Sequence, residues 1–203
     1  MTPFEQRAAA ARFRMVKERH QKSLETAIAE KKIDPLMVPI SKFIAGTKEY
    51  FTTSTCSGRI TLMDLDSTEM KREGAFFRKW HRTVTAKEVW EGIEDESNTG
   101  NLWFKQDGLV MLLGTHSMEN AKHVLDVVHN LGMKRIGINH FEPGKIHIEI
   151  FGTHHMSVPV KSGKKILVEK EYVKELVKLV NKKWKMNHQT LKKLCAALKK
   201  ELK

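Results

Sequence analysis

The segment from Glu171 to about Leu198 constrains the fold most. Val173, Leu176, Val177, Val180, Trp184, Leu191, Leu194 and Leu198 recur at helical spacing, which predicts one long amphipathic helix. A helix with one apolar stripe is stable in water only when that stripe is buried against something else. The partner has to come from the middle of the chain, where the pattern changes. Residues 50–63 (YFTTSTCSGRITLM), 75–84 (AFFRKWHRTV), LWFKQ and LVMLLG around Asp107-Gly108, and KRIGINHF and KIHIEIFG around Glu142-Pro143-Gly144 are rich in β-branched and aromatic residues and read as strands. Residues 153–168 add further strand around Pro159 and Gly163.

Helices interrupt these strands at places marked by capping chemistry. Thr85 followed by Glu88 is a capping box that opens a helix to about residue 94. Ser117 caps a helix whose apolar face is Val124, Leu125, Val127, Val128 and Leu131, and Gly132 ends it. At the start of the chain, Phe4, Ala8, Ala11 and Met15 share a helix face, with Val16, Leu24 and Ile28 continuing the apolar positions over residues 4–32. Asp34-Pro35 reads as a cap followed by a proline in the first turn of a short helix that Gly46 ends. Residues 66–74 read as a polar loop. The expectation is a single α+β domain over 1–203, with N-terminal helices in 1–46, a mixed strand and helix core in 47–168, and a basic C-terminal helix in 169–203.

Of the 203 residues, 36 are Lys or Arg and 24 are Asp or Glu, so the net charge is +12. The excess is localised. From Lys161 to Lys203 there are 14 lysines, no arginine and 4 glutamates, hence +10. Lysine without arginine suits attraction to nucleic-acid phosphates better than the reading of base edges, and a solvated helix face is the competing reading. No apolar run approaches the roughly 18 residues of a membrane span, and the first residues lack a secretory apolar core. Cys56 and Cys195 form no disulfide framework, so the reducing cytosol is the expected compartment.

Ser54-Thr55-Cys56-Ser57-Gly58-Arg59 is the densest chemical signal. Small hydroxyls, a permissive glycine and a guanidinium after a strand suit a carboxylate or phosphate, and an ordinary turn with a surface arginine is the alternative. Cys56 reads as a small buried thiol. In Lys79-Trp80-His81-Arg82, strand alternation puts Lys79 and His81 on one face and Trp80 and Arg82 on the other, which offers an indole for stacking on a base or a core tryptophan. No metal site is expected. His154 and His155 point to opposite strand faces, and His116, His123 and His129 are spaced unsuitably for a helical pair. Neither GxGxxG after a strand nor GxxxxGK[ST] occurs, so a Rossmann fingerprint and a P-loop are excluded.

The run Tyr50 to Ile60 resembles the signature of the third tRNA-wybutosine-synthesis protein family. Lys79-Trp80-His81-Arg82 is similar to a tryptophan-histidine segment of its archaeal members. Thr153-His154-His155-Met156-Ser157-Val158-Pro159-Val160, followed by Lys161-Ser162-Gly163-Lys164 and Glu171-Tyr172, resembles its late block. The three stretches fall in the expected order over roughly residues 15–190. One departure stands out: Lys105 to Leu113 lacks the proline and the histidine that the family carries before and within its central strand.

The resemblance implies an S-adenosylmethionine-dependent methyltransferase of non-Rossmann fold. Its substrate would be a ring nitrogen (N-4) of the wyosine-type tricyclic base beside the anticodon of tRNA(Phe). It places Ser54, Ser57 and Arg59, with Cys56, Lys79, Thr153 and Pro159, at a cofactor or substrate site. The carboxylate met there would belong either to the cofactor or to the base's aminocarboxypropyl chain. Trp80 would stack on the base, His81 or His154 would serve as a base if one is used, and Lys161 and Lys164 would meet tRNA phosphates. A cofactor-free RNA-binding module and a paralogue acting on another tRNA base are the competing functions.

Overall fold

A computed structural model describes residues 2–66, 68 and 75–202. Of the expected polar loop at 66–74, Asp66 and Thr68 are described and the remainder lies outside the described residues. The chain divides into two compact units, each discontinuous in sequence: Met1–Ser57, Leu109–Gly152 and Gln189–Lys203 in one, Gly58–Gly108 and Thr153–His188 in the other.

The first unit holds α1 (Pro3–Ala29), α2 (Val38–Gly46), β1 (Tyr50–Cys56), β5 (Val110–Thr115), α4 (Met118–Asn130), β6 (Ile136–Glu142) and β7 (Lys145–Phe151). Its strands pair in the order β1-β5-β7-β6, each pairing antiparallel. One face buries Leu109, Met111, Leu113, Ile146, Ile148 and Ile150 against Ile40 and Ile44 of α2, Val124 and Val128 of α4, and Leu191, Leu194 and Leu198 from the end of the long helix α5 (Lys170–Glu201). α1 lies on Phe51 through Phe13 and Val16.

The second unit holds β2 (Arg59–Leu65), β3 (Phe76–Trp80), α3 (Ala86–Glu94), β4 (Asn101–Asp107), β8 (Met156–Ser162), β9 (Lys165–Ile166) and the first part of α5. Its sheet, β3-β2-β4-β8-β9, is also antiparallel throughout. Ile60, Leu62, Leu102, Phe104 and Val160 pack against Val89 and Ile93 of α3 and against Val173, Leu176, Val177 and Val180 of α5. The class is therefore α+β. With every pairing among the described residues antiparallel, neither unit shows there the parallel crossover of a Rossmann fold. No described helix is long and apolar enough to cross a membrane.

Three local expectations are corrected. The exposed face of α1 carries Phe4 and Met15, at 78% and 65% exposure, while Phe13 and Val16 are buried. Two stripes on α1 have helical spacing, and contact with Phe51 selects the second. Asp34 opens a turn rather than capping a helix: Met37 N donates to its carbonyl at 2.8 Å, and α2 begins at Val38. The strand expected over 75–84 stops at Trp80 because Val84 N and O bond to the Asn181 side chain at 3.0 and 2.8 Å instead of to a ladder.

Candidate functional site

β1 is an edge strand whose pairing with β5 slips between Thr52 and Ser54, leaving Thr53 as a bulge. A bulge breaks the alternation of side chains. Consecutive residues Thr52 to Thr55 consequently line one cleft of about 180 Å³, opposite His20, Ser23, Leu24 and Ala27 of α1. Lys32 and Ile33, just past the helix, complete it. Ser54 is exposed, and Thr55 Oγ1 lies 3.4 Å from Ser41 Oγ. The His20 ring stacks on Phe51, with centroids 5.0 Å apart and planes 8° apart. Burial, with Arg19 and Lys145 nearby, holds the His20 imidazole below its usual pKa, so it is neutral near pH 7.

The rest of the signature is held more tightly than its composition suggests. Ser57 is fully buried, and its hydroxyl and its N–H both donate to Asp34 Oδ2, the latter at 3.3 Å. Asp34 Oδ1 accepts from Leu36 N at 3.1 Å. Ser57 is therefore a clamp on the chain and not a ligand-facing hydroxyl. Cys56 pairs with Val110 of β5 and is half-buried.

Gly58 and Arg59 belong to the second unit. Gly58 has φ +96°, and a Cβ there would stand 2.8 Å from Asp107 O and 2.6 Å from Asn187 Nδ2, so no side chain fits. Arg59 donates through Nε to Asp107 Oδ2 at 3.2 Å, and its guanidinium lies 4.3 Å from the Phe76 ring centroid. Trp80 is half-buried against the core of this unit, which favours the core reading. Lys79 Nζ is 5.7 Å from the Phe76 centroid, and His81 lies beyond the end of β3, exposed. Arg82 is also past the strand and bonds Glu88 at 2.5 Å, which holds the Glu88 carboxyl at about 2.

In the late block, Thr153 is exposed and its Oγ1 lies 3.5 Å from His154 Nδ1. Burial, Lys183 and His155 hold His154 below its ordinary pKa. Pro159 sits opposite Trp103 of β4, at a point of β8 that β9 does not reach. Lys161 is a correction. It is 2% exposed and its ammonium donates to Asp95 O at 2.8 Å, capping the C-terminus of α3. Lys164 is exposed and bonds the neighbouring Glu96 carbonyl. Asp34, His20, Ser23 and Lys32 are the site residues that sequence reasoning missed. Asp34 was visible only as a cap, and the other three carry no local motif.

The family model described as Methyltransferase TYW3 matches residues 13–200, a span that includes β1, the Ser57 clamp and the late block. The chain belongs to this methyltransferase family. It is 32% identical over 165 residues to the tRNA(Phe) 7-((3-amino-3-carboxypropyl)-4-demethylwyosine(37)-N(4))-methyltransferase 1 of Thermococcus kodakarensis, covering 81% of this chain and 83% of that one. It is 28% identical over 188 residues to the tRNA wybutosine-synthesizing protein 3 homolog of Xenopus laevis, covering 91% and 74%. The solved structure of the PH1069 protein from Pyrococcus horikoshii superposes with a TM-score of 0.85 at 28% identity, covering 97% of each chain.

Like its TYW3 relatives this chain is a methyltransferase. In the β1–β5 register Leu112 stands opposite Ser54, within the stretch Lys105 to Leu113. The neighbouring Leu109, Met111 and Leu113 are fully buried, so this strand serves the core on one face and sets an apolar neighbour beside Ser54 on the other.

Proposed function

We propose that this chain transfers a methyl group from S-adenosylmethionine to the N-4 ring nitrogen of the wyosine-type base beside the anticodon of tRNA(Phe). The observation that carries the reading is the TYW3 match over residues 13–200, reinforced by relatives named for that reaction. When bound, S-adenosylmethionine supplies an electrophilic methyl carbon on a sulfonium. The donor has an amino-acid end, and the hydroxyl wall Thr53 to Thr55 with the Lys32 ammonium has the chemistry to receive one.

What the chain itself contributes is orientation and exclusion of water, which in a displacement of this kind lowers the barrier through effective molarity. The ring nitrogen loses its proton as it gains the methyl. His154, neutral near pH 7, is the proposed acceptor, with His81 the second candidate. Arg59 holds Asp107 through Nε, and its terminal nitrogens are the proposed donors to a carboxylate or phosphate. The lysines of α5 supply attraction for the tRNA backbone, and the cytosol is the proposed compartment, in keeping with two cysteines that are not joined in a disulfide.

The test is methyl transfer from labelled S-adenosylmethionine to tRNA(Phe) bearing the 4-demethylated base, preceded by a thermal-shift titration of the donor and its demethylated product. A saturable rise in melting temperature and label at the base are expected. tRNA binding with no transfer and no response to the donor would overturn the reading in favour of an RNA-binding module.

A further inference from the structure

The geometry points to the cleft between α1 and β1 as a receptor for an α-amino-acid end group, with Ser23 and Lys32 as specificity residues beside the signature hydroxyls. The inference rests on the methyltransferase reading and deepens it. Two ligands of that reaction carry such a group: the methyl donor, and a base with an aminocarboxypropyl chain.

Size is the first argument. The cleft holds about 180 Å³. Whole small-molecule sites start near ~300 Å³. The end of a short amino-acid chain matches that size, with the remainder of a larger ligand left outside the cleft. The lining is the second. Of the lining residues, Thr53, Ser54, Thr55 and Ser23 carry hydroxyls, each donor and acceptor, and Leu24, Ala27 and Ile33 carry apolar side chains suited to methylenes. His20 is fixed on Phe51 at its edge.

The third argument is the local backbone. Lys31 has φ 55°, the left-handed region that residues with a Cβ seldom enter. Lys32 N closes this turn on Ala27 O at 2.9 Å, which folds the chain back under the helix end and brings Lys32 and Ile33 to the cleft. Lys32 pairs with Glu30 at 2.7 Å, with both side chains largely in solvent. An exposed pair of that kind is weak and exchanges readily for a carboxylate presented in the cleft. The ammonium suits the carboxylate of the ligand, and the hydroxyls suit its ammonium.

Lys32→Met and the double variant Ser23→Ala/Thr53→Val, each with unchanged thermal melting, test this against four ligands. Calorimetry compares S-adenosylmethionine with its decarboxylated analogue. Equilibrium binding compares tRNA(Phe) carrying the aminocarboxypropyl base with tRNA(Phe) carrying the base without that chain. Loss of a charge-assisted bond predicts that Lys32→Met weakens one carboxylated ligand by roughly tenfold to a hundredfold and leaves its carboxylate-free counterpart unchanged. Selective loss for the donor assigns the cleft to the donor, and selective loss for the tRNA assigns it to the base. Equal weakening of all four ligands, or no change in any, overturns the inference while the methyltransferase reading stands. Wild-type protein that binds neither donor nor tRNA overturns both.

Discussion

The Ser57 hydroxyl donates to the carboxylate of Asp34, tying the end of β1 to the turn between α1 and α2. Both side chains are buried, Ser57 completely and Asp34 to within 8%. A carboxylate removed from water is tolerable only while its hydrogen bonds persist. The signature serine is thus a conformational clamp, and its neighbours Ser54 and Thr55 are the ones that face the cleft.

The clamp makes substitution at either end costly. Ser57→Ala leaves a buried carboxylate lacking its hydroxyl donor and should lower stability by about 1–3 kcal/mol. Asp34→Asn turns one of the two accepting oxygens into an NH2 donor that faces the N–H of Leu36 or of Ser57, and should cost at least as much. The Ser57→Ala/Asp34→Asn double variant should be less destabilised than the sum of the singles. Denaturant unfolding of the four proteins reads this coupling directly.

Gly58 permits no substitution. Its positive φ and the approach of Asp107 O and Asn187 Nδ2 act together on any Cβ. Gly58→Ala should therefore destabilise by more than about 1 kcal/mol, the strain that the left-handed region alone imposes. The loss should be visible as a lowered melting temperature, and Gly132→Ala is the informative control. That residue also has a positive φ, but its absent Cβ would meet nothing within 4 Å, so the difference between the two variants isolates the steric part.

Local chemistry was legible in the sequence and distant partnership was not. Thr85 and Glu88 form the capping box of α3, Ser117 caps α4, and Pro143-Gly144 turns β6 into β7, because each signal acts within a few residues. The pattern also located β1 and β2 on either side of Gly58 and β4 and β5 on either side of Gly108. It did not show that each pair divides between two sheets, since a turn residue does not encode which sheet the next strand joins. Lys161 and Lys164 look alike in a lysine-rich run, and only the position of the C-terminus of α3 separates a buried cap from an exposed one. His20 and Ser23 reach the cleft because α1 settles on Phe51 through Phe13, a choice between two equally periodic stripes.

The lysines should accordingly divide by role. Lys161→Met removes the ammonium from Asp95 O and should cost about 1–3 kcal/mol of stability while leaving the salt dependence of tRNA binding unchanged. Lys182 and Lys185 stand exposed on α5. Replacing either with Met should leave stability almost unaltered. If both meet phosphates, each replacement should reduce the slope of log K against log salt by about 0.7–0.9. Binding isotherms over a salt series, with melting curves for each variant, distinguish the two kinds of lysine.

His147 supplies a pH signature for the first unit. It lies between Phe51, at 5.9 Å edge to face, and His140, at 5.3 Å, and its Nε2 is buried with no hydrogen-bond partner among the described residues. Burial, with Lys145, His140, His20 and Arg19 adding positive charge, pushes its pKa down from 6.5 to about 4. Between those two values the unfolded chain binds a proton that the folded chain refuses. Stability from this residue is therefore complete above about pH 6.5 and falls as pH drops toward 4. His147→Phe keeps a ring against Phe51 but cannot titrate. Melting temperature plotted against pH should fall less steeply for this variant than for the wild type over that interval, and the two curves should run parallel above it. Equal slopes on the acid side would mean that the imidazole is not the group under strain.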